Sequence, residues 1–242
     1  MTRLTAATLA QDTAGLLRRF GAALYLDFLA LGVAATTLQS LLAPESLRRL
    51  TRGDVDASVF ALITDPAILG EEALFTILFA AGCLRIWRAS GGETSDPAAA
   101  LRQMLAPLIV LSLATGFLAY FGMFLLILPG IVVLALTTTL VPMIVIEGRG
   151  WFALRATLSQ CRPALGVLSL AWALTVIPLV IVATAVGPPP LAADAPITAL
   201  WLGWLAPDLI AAMVSTLTLA MSMAAYLRLQ PAGGADLEDV FR

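Results

Sequence analysis

Between Arg102 and Glu147 the chain runs from Gln103 to Ile146 without a single charged residue. No other feature constrains the fold as strongly. A helix needs roughly 20 residues to cross a hydrocarbon core, so this segment is long enough to cross twice. Its middle reads Phe124-Leu125-Leu126-Ile127-Leu128-Pro129-Gly130-Ile131-Val132-Val133, and it closes on Pro142-Met143-Ile144-Val145-Ile146 before Glu147. Proline presets the first position of a turn and glycine accepts positive φ at the second. Pro129-Gly130 is therefore the expected point of reversal, and the segment reads as a membrane hairpin.

Composition agrees. Hydrophobic residues make up 60% of the chain and charged residues 12%, about half the charge of a soluble domain, so much of the surface must face lipid. All 14 basic residues are arginine, with no lysine and no histidine. The chain has no imidazole to serve as general base, metal ligand or neutral-pH sensor, and no lysine for a Schiff base or a phosphate loop. A net charge of −2 gives no basic field for nucleic acid. Cys83 and Cys161 read as reduced, packed thiols. The first apolar stretch is interrupted by Gln11 and Asp12, unlike a cleaved signal.

Six spans are expected, at about 20–43, 67–87, 104–127, 130–147, 164–187 and 203–227, in one domain covering 1–230 with a short tail at 231–242. With the N-terminus inside, the inner face receives Arg3, Arg18, Arg19, Arg85, Arg88, Arg102, Arg149, Arg155, Arg162, Arg228 and Arg242. The outer face receives Arg48, Arg49 and Arg52. This excess predicts cytoplasmic termini, and Trp201 and Trp204 then suit the outer interface.

Three cytoplasmic amphipathic helices are also expected. In residues 2–19, Leu9, Leu16, Leu17 and Phe20 share a face opposite Gln11 and Arg18. Ser95-Asp96-Pro97 opens a second, with Asp96 as cap and Pro97 at the first helical position. Trp151 to Arg162 makes the third. The strings Ala14-Gly15-Leu16-Leu17-Arg18-Arg19, Ala99-Ala100-Leu101-Arg102 and Phe152-Ala153-Leu154-Arg155 read as three copies of one unit. In each, an interfacial helix precedes a transmembrane hairpin. The fold class expected is all-α integral membrane, with six spans as three hairpins.

Leu128-Pro129-Gly130-Ile131, Pro142, Glu147 and Phe152-Ala153-Leu154-Arg155 carry a family resemblance, as does the opening from Leu4-Thr5-Ala6 through Asp12-Thr13 to Arg19-Phe20. On these residues the chain resembles the YciC-like inner-membrane proteins, which are related to the membrane domain attached to some glycerophosphoryl diester phosphodiesterases. Thr157 stands where that family tends to have serine, and Gln160 where it is usually apolar. The resemblance implies a six-span fold in the bacterial inner membrane. It implies no phosphodiesterase activity, because in those relatives catalysis belongs to a separate soluble barrel.

Ionisable residues inside spans are the default functional leads. Asp27 reads either as a polar site in the bundle or as the partner of Arg85 or Arg88, and the residue types favour the pair. Asp208 after Pro207 reads either as a central polar group or, by preference, as an acid at a helix start. Glu71 and Glu72 admit the same capping explanation. Together these acids form a candidate outward cation site, with Arg48, Arg49 and Arg52 at hand to neutralise them. Pro129, Gly130, Pro142 and Pro178 read as architectural, and Glu147 with Arg149 as the cytoplasmic end of the fourth span. Arg18, Arg19, Arg85, Arg88, Arg102, Arg155 and Arg162 form a candidate collar for anionic headgroups. Thr137-Thr138-Thr139 suits close helix packing.

No nucleophile elbow, phosphate loop, paired hydrolase carboxylates or zinc motif occurs, so neither catalytic residues nor a cofactor or metal is expected. The leading expectation is a non-enzymatic inner-membrane protein of lipid or envelope homeostasis, or a scaffold, with membrane lipids as partners and no nucleic acid. An accessory subunit of a larger membrane complex, or a self-associating protein, is the second expectation. A small-solute or lipid transporter is the third.

Overall fold

The computed structural model describes residues 4–42, 66–92, 97–186 and 196–230. Among these the chain is helical throughout, with no strand. The helices are α1 (Ala6–Leu42), α2 (Pro66–Ala89), α3 (Pro97–Leu126), α4 (Leu128–Thr137), α5 (Leu140–Val145), α6 (Ala153–Cys161), α7 (Leu165–Val186) and α8 (Ile197–Leu229). Short 3₁₀ turns at Gly150–Phe152 and Arg162–Ala164 flank α6. Among the described residues five stretches are long and apolar enough to cross a membrane: Ala6–Leu42, Met104–Met123, Leu128–Val145, Gly150–Leu179 and Ile197–Leu229. The expected second span, now α2, is not among them. Glu71 and Glu72 lie toward one end of its apolar stretch, and Arg85 and Arg88 toward the other.

Helix α1 opens with a reciprocal cap. The Thr8 N–H donates to Thr5 Oγ1 at 3.2 Å and the Thr5 N–H donates to Thr8 Oγ1 at 3.1 Å, which satisfies two amides at the exposed helix start. No proline follows before Leu42, so the expected amphipathic segment and the first span form one continuous helix of 37 residues. Leu9 and Leu16 are buried, with Leu17 and Phe20 packed against the same core, while Gln11 and Arg18 are exposed. The expected face is therefore the right one, but it rests on protein. The second amphipathic segment is likewise continuous with its span, in α3, which starts at Pro97 as expected; Asp96 lies outside the described residues. Only α6 is set apart from the span after it, by the 3₁₀ turn that contains Pro163.

A single residue, Ile127, separates α3 from α4. Pro129 occupies the first turn of α4, where no amide donor is needed. Gly130 is helical and does not adopt positive φ, so it serves the turn differently from the sequence expectation. A Cβ there would lie 2.5 Å from the Ala119 carbonyl oxygen and would overlap Met123 Cγ. A Cβ on Gly122 would lie 2.8 Å from the Gly130 nitrogen. The two glycines let the backbones of α3 and α4 touch. Among the described residues the left-handed glycines are instead Gly91 (φ 79°), after α2, and Gly148 (φ 65°) and Gly150 (φ 52°), after α5, where the Glu147–Arg149 ion pair closes the helix end.

The expected fourth span is broken at Thr138-Thr139, between α4 and α5. Pro142 explains the break, since it has no N–H to offer the carbonyl four residues earlier and its ring crowds that carbonyl. The residue concerned is Thr138, and its freed carbonyl accepts a hydrogen bond from the Ser222 hydroxyl of α8. The Thr138 hydroxyl accepts from Trp172 Nε1 of α7 at 2.8 Å. The Thr139 hydroxyl donates to Gln160 Oε1 of α6 at 2.9 Å and lies 3.4 Å from Cys161 Sγ. Thr157 donates to Met143 Sδ at 3.2 Å. One proline thus creates a buried polar joint holding three other helices.

Helix α8 is the hub. Every residue from Leu219 to Leu227 is buried, which requires neighbours on all sides. Its long partner is α1, laid antiparallel: Asp12 meets Arg228 at one end, and Thr36 meets Asp208 towards the other. In Leu128–Val145 and Ile197–Leu229, 56% of the apolar window is buried, against 17–22% in the other three stretches. The outer helices therefore present Leu26, Leu38, Val110, Phe117, Leu174 and Ile181 outward, a surface suited to lipid.

Gly130→Ala should lower stability by about 1–3 kcal/mol through overpacking against backbone, seen as a lower thermal midpoint of the purified protein. Gly116→Ala, whose Cβ would meet nothing within 4 Å, should stay within about 0.5 kcal/mol of wild type. Ser222→Ala should cost about 1–3 kcal/mol by orphaning the Thr138 carbonyl. In a Pro142→Ala background the same change should cost less by at least about 0.5 kcal/mol, because alanine at that position restores a backbone donor.

Candidate functional site

Three acids inside the helical body have three different surroundings. Asp12 is 3% exposed and accepts from Arg228 Nε at 2.5 Å and Nη2 at 2.9 Å, a two-pronged contact that fixes direction as well as charge. Sequence reading passed over this pair. Its signal was an acid on the apolar face of α1, one turn from both Leu9 and Leu16. Asp27 is half exposed and lies 3.5 Å from Arg85 Nη1, so the structure favours the ion pair expected for it. Asp208 is different again.

Asp208 does not cap a helix. Helix α8 begins at Ile197 and carries Pro207 inside it, which places Asp208 three turns from the helix start. It is 8% exposed. Oδ1 accepts from the Thr36 hydroxyl of α1 at 3.1 Å, while Oδ2 is buried with no partner among the described residues. Glu71 and Glu72 fall in the second turn of α2, so they do not cap it either. Glu71 accepts from Gln39 Nε2 at 2.5 Å.

These acids face a common cavity of about 370 Å³. Helix α2 lines it with Glu71, Glu72, Phe75, Thr76 and Phe79, spaced as one helical face. Asp208, Ala211 and Ser215 enter from α8, Phe28 from α1, Ser112 from α3 and Val141 from α5. Phe28 and Phe75 stack across it with ring centres 6.0 Å apart. Among the described residues no arginine lines it; Arg48, Arg49 and Arg52, expected as neutralising partners, lie outside them. Of the residues lining this cavity, Ser112 also has a buried hydroxyl with no partner among the described residues. The three acids are not arranged as a metal site, for no group of three such ligands occurs among the described residues.

Of the expected arginine collar, Arg18, Arg19, Arg85, Arg88, Arg155 and Arg162 are exposed, and Arg19 lies 5.2 Å from the centre of the Phe20 ring. The side chain of Arg102 lies outside the described ones. Trp151 and Phe152 are exposed beside Arg155. Pro178 lies inside α7, and both cysteines are free and buried. Trp201 Nε1 donates to the Thr37 hydroxyl at 2.9 Å, near the end of α1.

Compared with models of known protein families, with curated proteins and with solved structures, the chain gives no match.

Asp12→Asn should destabilise the protein by about 3 kcal/mol, the lower end for breaking a buried pair, because Arg228 keeps 25% side-chain exposure. Asp27→Asn should cost at most about 1 kcal/mol, as exposed pairs do. Thermal unfolding of the two variants side by side checks the ordering, and equal losses would contradict it.

Proposed function

We propose that this chain is a multi-pass protein of the bacterial inner membrane that binds a small ligand within the bilayer and carries it, with no catalytic chemistry of its own. The observation behind this reading is the acid-lined cavity, with Asp208 buried in its wall and only half satisfied. A carboxyl group inside spanning helices is costly and marks a substrate or ion path by default. Sites of this kind form between helices that are locally interrupted, and the cavity touches both the Pro207 region of α8 and α5 beyond the Thr138-Thr139 break.

Six crossings complete the proposed topology, with α2 as the span missing from the apolar five. Its charged residues fall near its two ends, where long side chains reach toward the headgroups. The contact of Asp12 with Arg228 supports placing the chain's two ends on one side, and the arginine excess assigns that side to the cytoplasm. Exposed Arg18, Arg19, Arg155 and Arg162, with Trp151 and Phe152, suit anionic headgroups there. A role in lipid or envelope homeostasis is the setting this reading favours. The resemblance to YciC-like proteins agrees with that location, although the comparisons neither carry nor oppose it. The accessory-subunit reading draws on the outward apolar faces of α1, α3 and α7, but contact with lipid already requires these.

Ethidium, a permanent organic cation, serves as the flux probe, its entry into DNA-loaded proteoliposomes followed by fluorescence. Wild type should admit it faster than empty liposomes, and Asp208→Asn should slow protein-dependent entry by about tenfold or more, equivalent to about 1.4 kcal/mol. Identical rates for wild type, variant and empty liposomes would remove the carrier reading.

A further inference from the structure

A second cavity, of about 480 Å³, adjoins the acidic one. Both volumes fall within the roughly 300–1,000 Å³ usual for ligand pockets. The second is walled by apolar side chains: Leu113, Phe117 and Tyr120 along one face of α3, with Leu69 of α2, Met123 of α3 and Leu134 of α4. Phe117 and Tyr120 are also exposed on the outer surface of the bundle, so this chamber borders the lipid-facing side. Glu72, Thr76 and Ser112 line both cavities. The unpartnered Ser112 hydroxyl and the short Thr76 side chain therefore stand where the acidic chamber meets the apolar one.

From this juxtaposition we propose that the ligand is an amphiphile with a cationic head and a hydrocarbon chain. The head lies in the chamber of Glu71, Glu72 and Asp208, and the chain lies along Leu113, Phe117 and Leu134. The inference rests on the carrier reading and names its substrate class. Charge decides the head. Three acids, Glu71, Glu72 and Asp208, line its chamber, which favours a cationic head. Phe28, Phe75 and Phe79 line the same chamber, and aromatic faces favour an organic ammonium. Shape decides the tail, because an apolar chamber bordering the lipid-facing surface admits a chain from the bilayer without dragging it through water.

The test uses a dodecyltrimethylammonium probe with a diazirine at the chain end, photolysed on the full chain in lipid nanodiscs and mapped by peptide mass spectrometry. Labelling should concentrate on residues 113–123 and on Leu134. Unlabelled dodecyltrimethylammonium should compete at least about tenfold better than either tetramethylammonium or dodecyl sulfate. Asp208→Asn should reduce labelling by about tenfold. Glu72→Gln, at an exposed position that lines both cavities, should reduce it in the same direction and keeps the test decisive if Asp208→Asn fails to fold. Gly116→Phe, which fills the apolar chamber, should abolish labelling of Leu134.

Equal competition by tetramethylammonium would leave a cation site and overturn the amphiphile. Equal competition by dodecyl sulfate, or labelling indifferent to both acid variants, would show unspecific partition and overturn it as well. Specific labelling without protein-dependent transfer of dodecyltrimethylammonium into proteoliposomes would instead sink the carrier reading while the ligand class stands.

Discussion

The antiparallel seam between α1 and α8 is the interaction on which the rest of the bundle depends. The two helices come from opposite ends of the chain, so their pairing closes the fold. Its register is fixed chemically at both ends. Near one, Asp12 and Arg228 engage through two hydrogen bonds, a geometry that tolerates no sliding. Towards the other, Thr36 holds Asp208 and Thr37 holds Trp201. Between apolar helices in lipid there is no hydrophobic force to choose a register, and polar contacts with close packing must do so. A shift of one turn would break all of them together, and would withdraw Asp208 from the cavity.

Pro142 complements the seam from inside the bundle. By releasing the Thr138 carbonyl it creates an acceptor that α4 and α5 cannot satisfy between themselves, and Ser222 of α8 supplies the donor. The same break turns the Thr138 and Thr139 hydroxyls toward Trp172 and Gln160. Gln160, which looks out of place in sequence, therefore has a partner created by a proline eighteen residues earlier. α5, beyond the break, then contributes Val141 to the cavity wall. Architecture and site share this joint, so a change at Pro142 or Ser222 acts on both.

The helical class and most of the apolar stretches were legible because a long uncharged segment admits few alternatives. The buried face of the N-terminal segment was legible too, through the spacing of Leu9, Leu16, Leu17 and Phe20. Boundaries were less so: nothing local marks the join between Arg19 and Phe20, and the helix runs through it. Gly130 misled because glycine has two uses, and positive φ is the one sequence suggests. Close approach of two backbones depends on which helix comes opposite, a tertiary fact. The Asp27–Arg85 pair could be read from two spans running antiparallel. The Asp12–Arg228 pair could not, since it joins residues 216 positions apart. The capping reading of Asp208 failed because helix α8 extends back through Pro207 to Ile197, beyond the point where a proline-acid pair would ordinarily start a helix.

The difference among the acids is what separates framework from ligand site. Asp12 is buried and engaged by two arginine nitrogens, so its charge is spent on the fold. Asp27 is half exposed beside Arg85 at the edge of the bundle, and solvent or headgroups share its charge. Asp208 is buried, with 8% exposure, yet it holds one hydroxyl and leaves an oxygen without a partner among the described residues. A buried, half-satisfied carboxyl group is destabilising in isolation, and the bond from Thr36 accounts for only one of its two oxygens. On the proposed function, its position in one cavity wall with Glu71 and Glu72, next to an apolar chamber, supplies the second partner: a ligand that arrives from outside the chain.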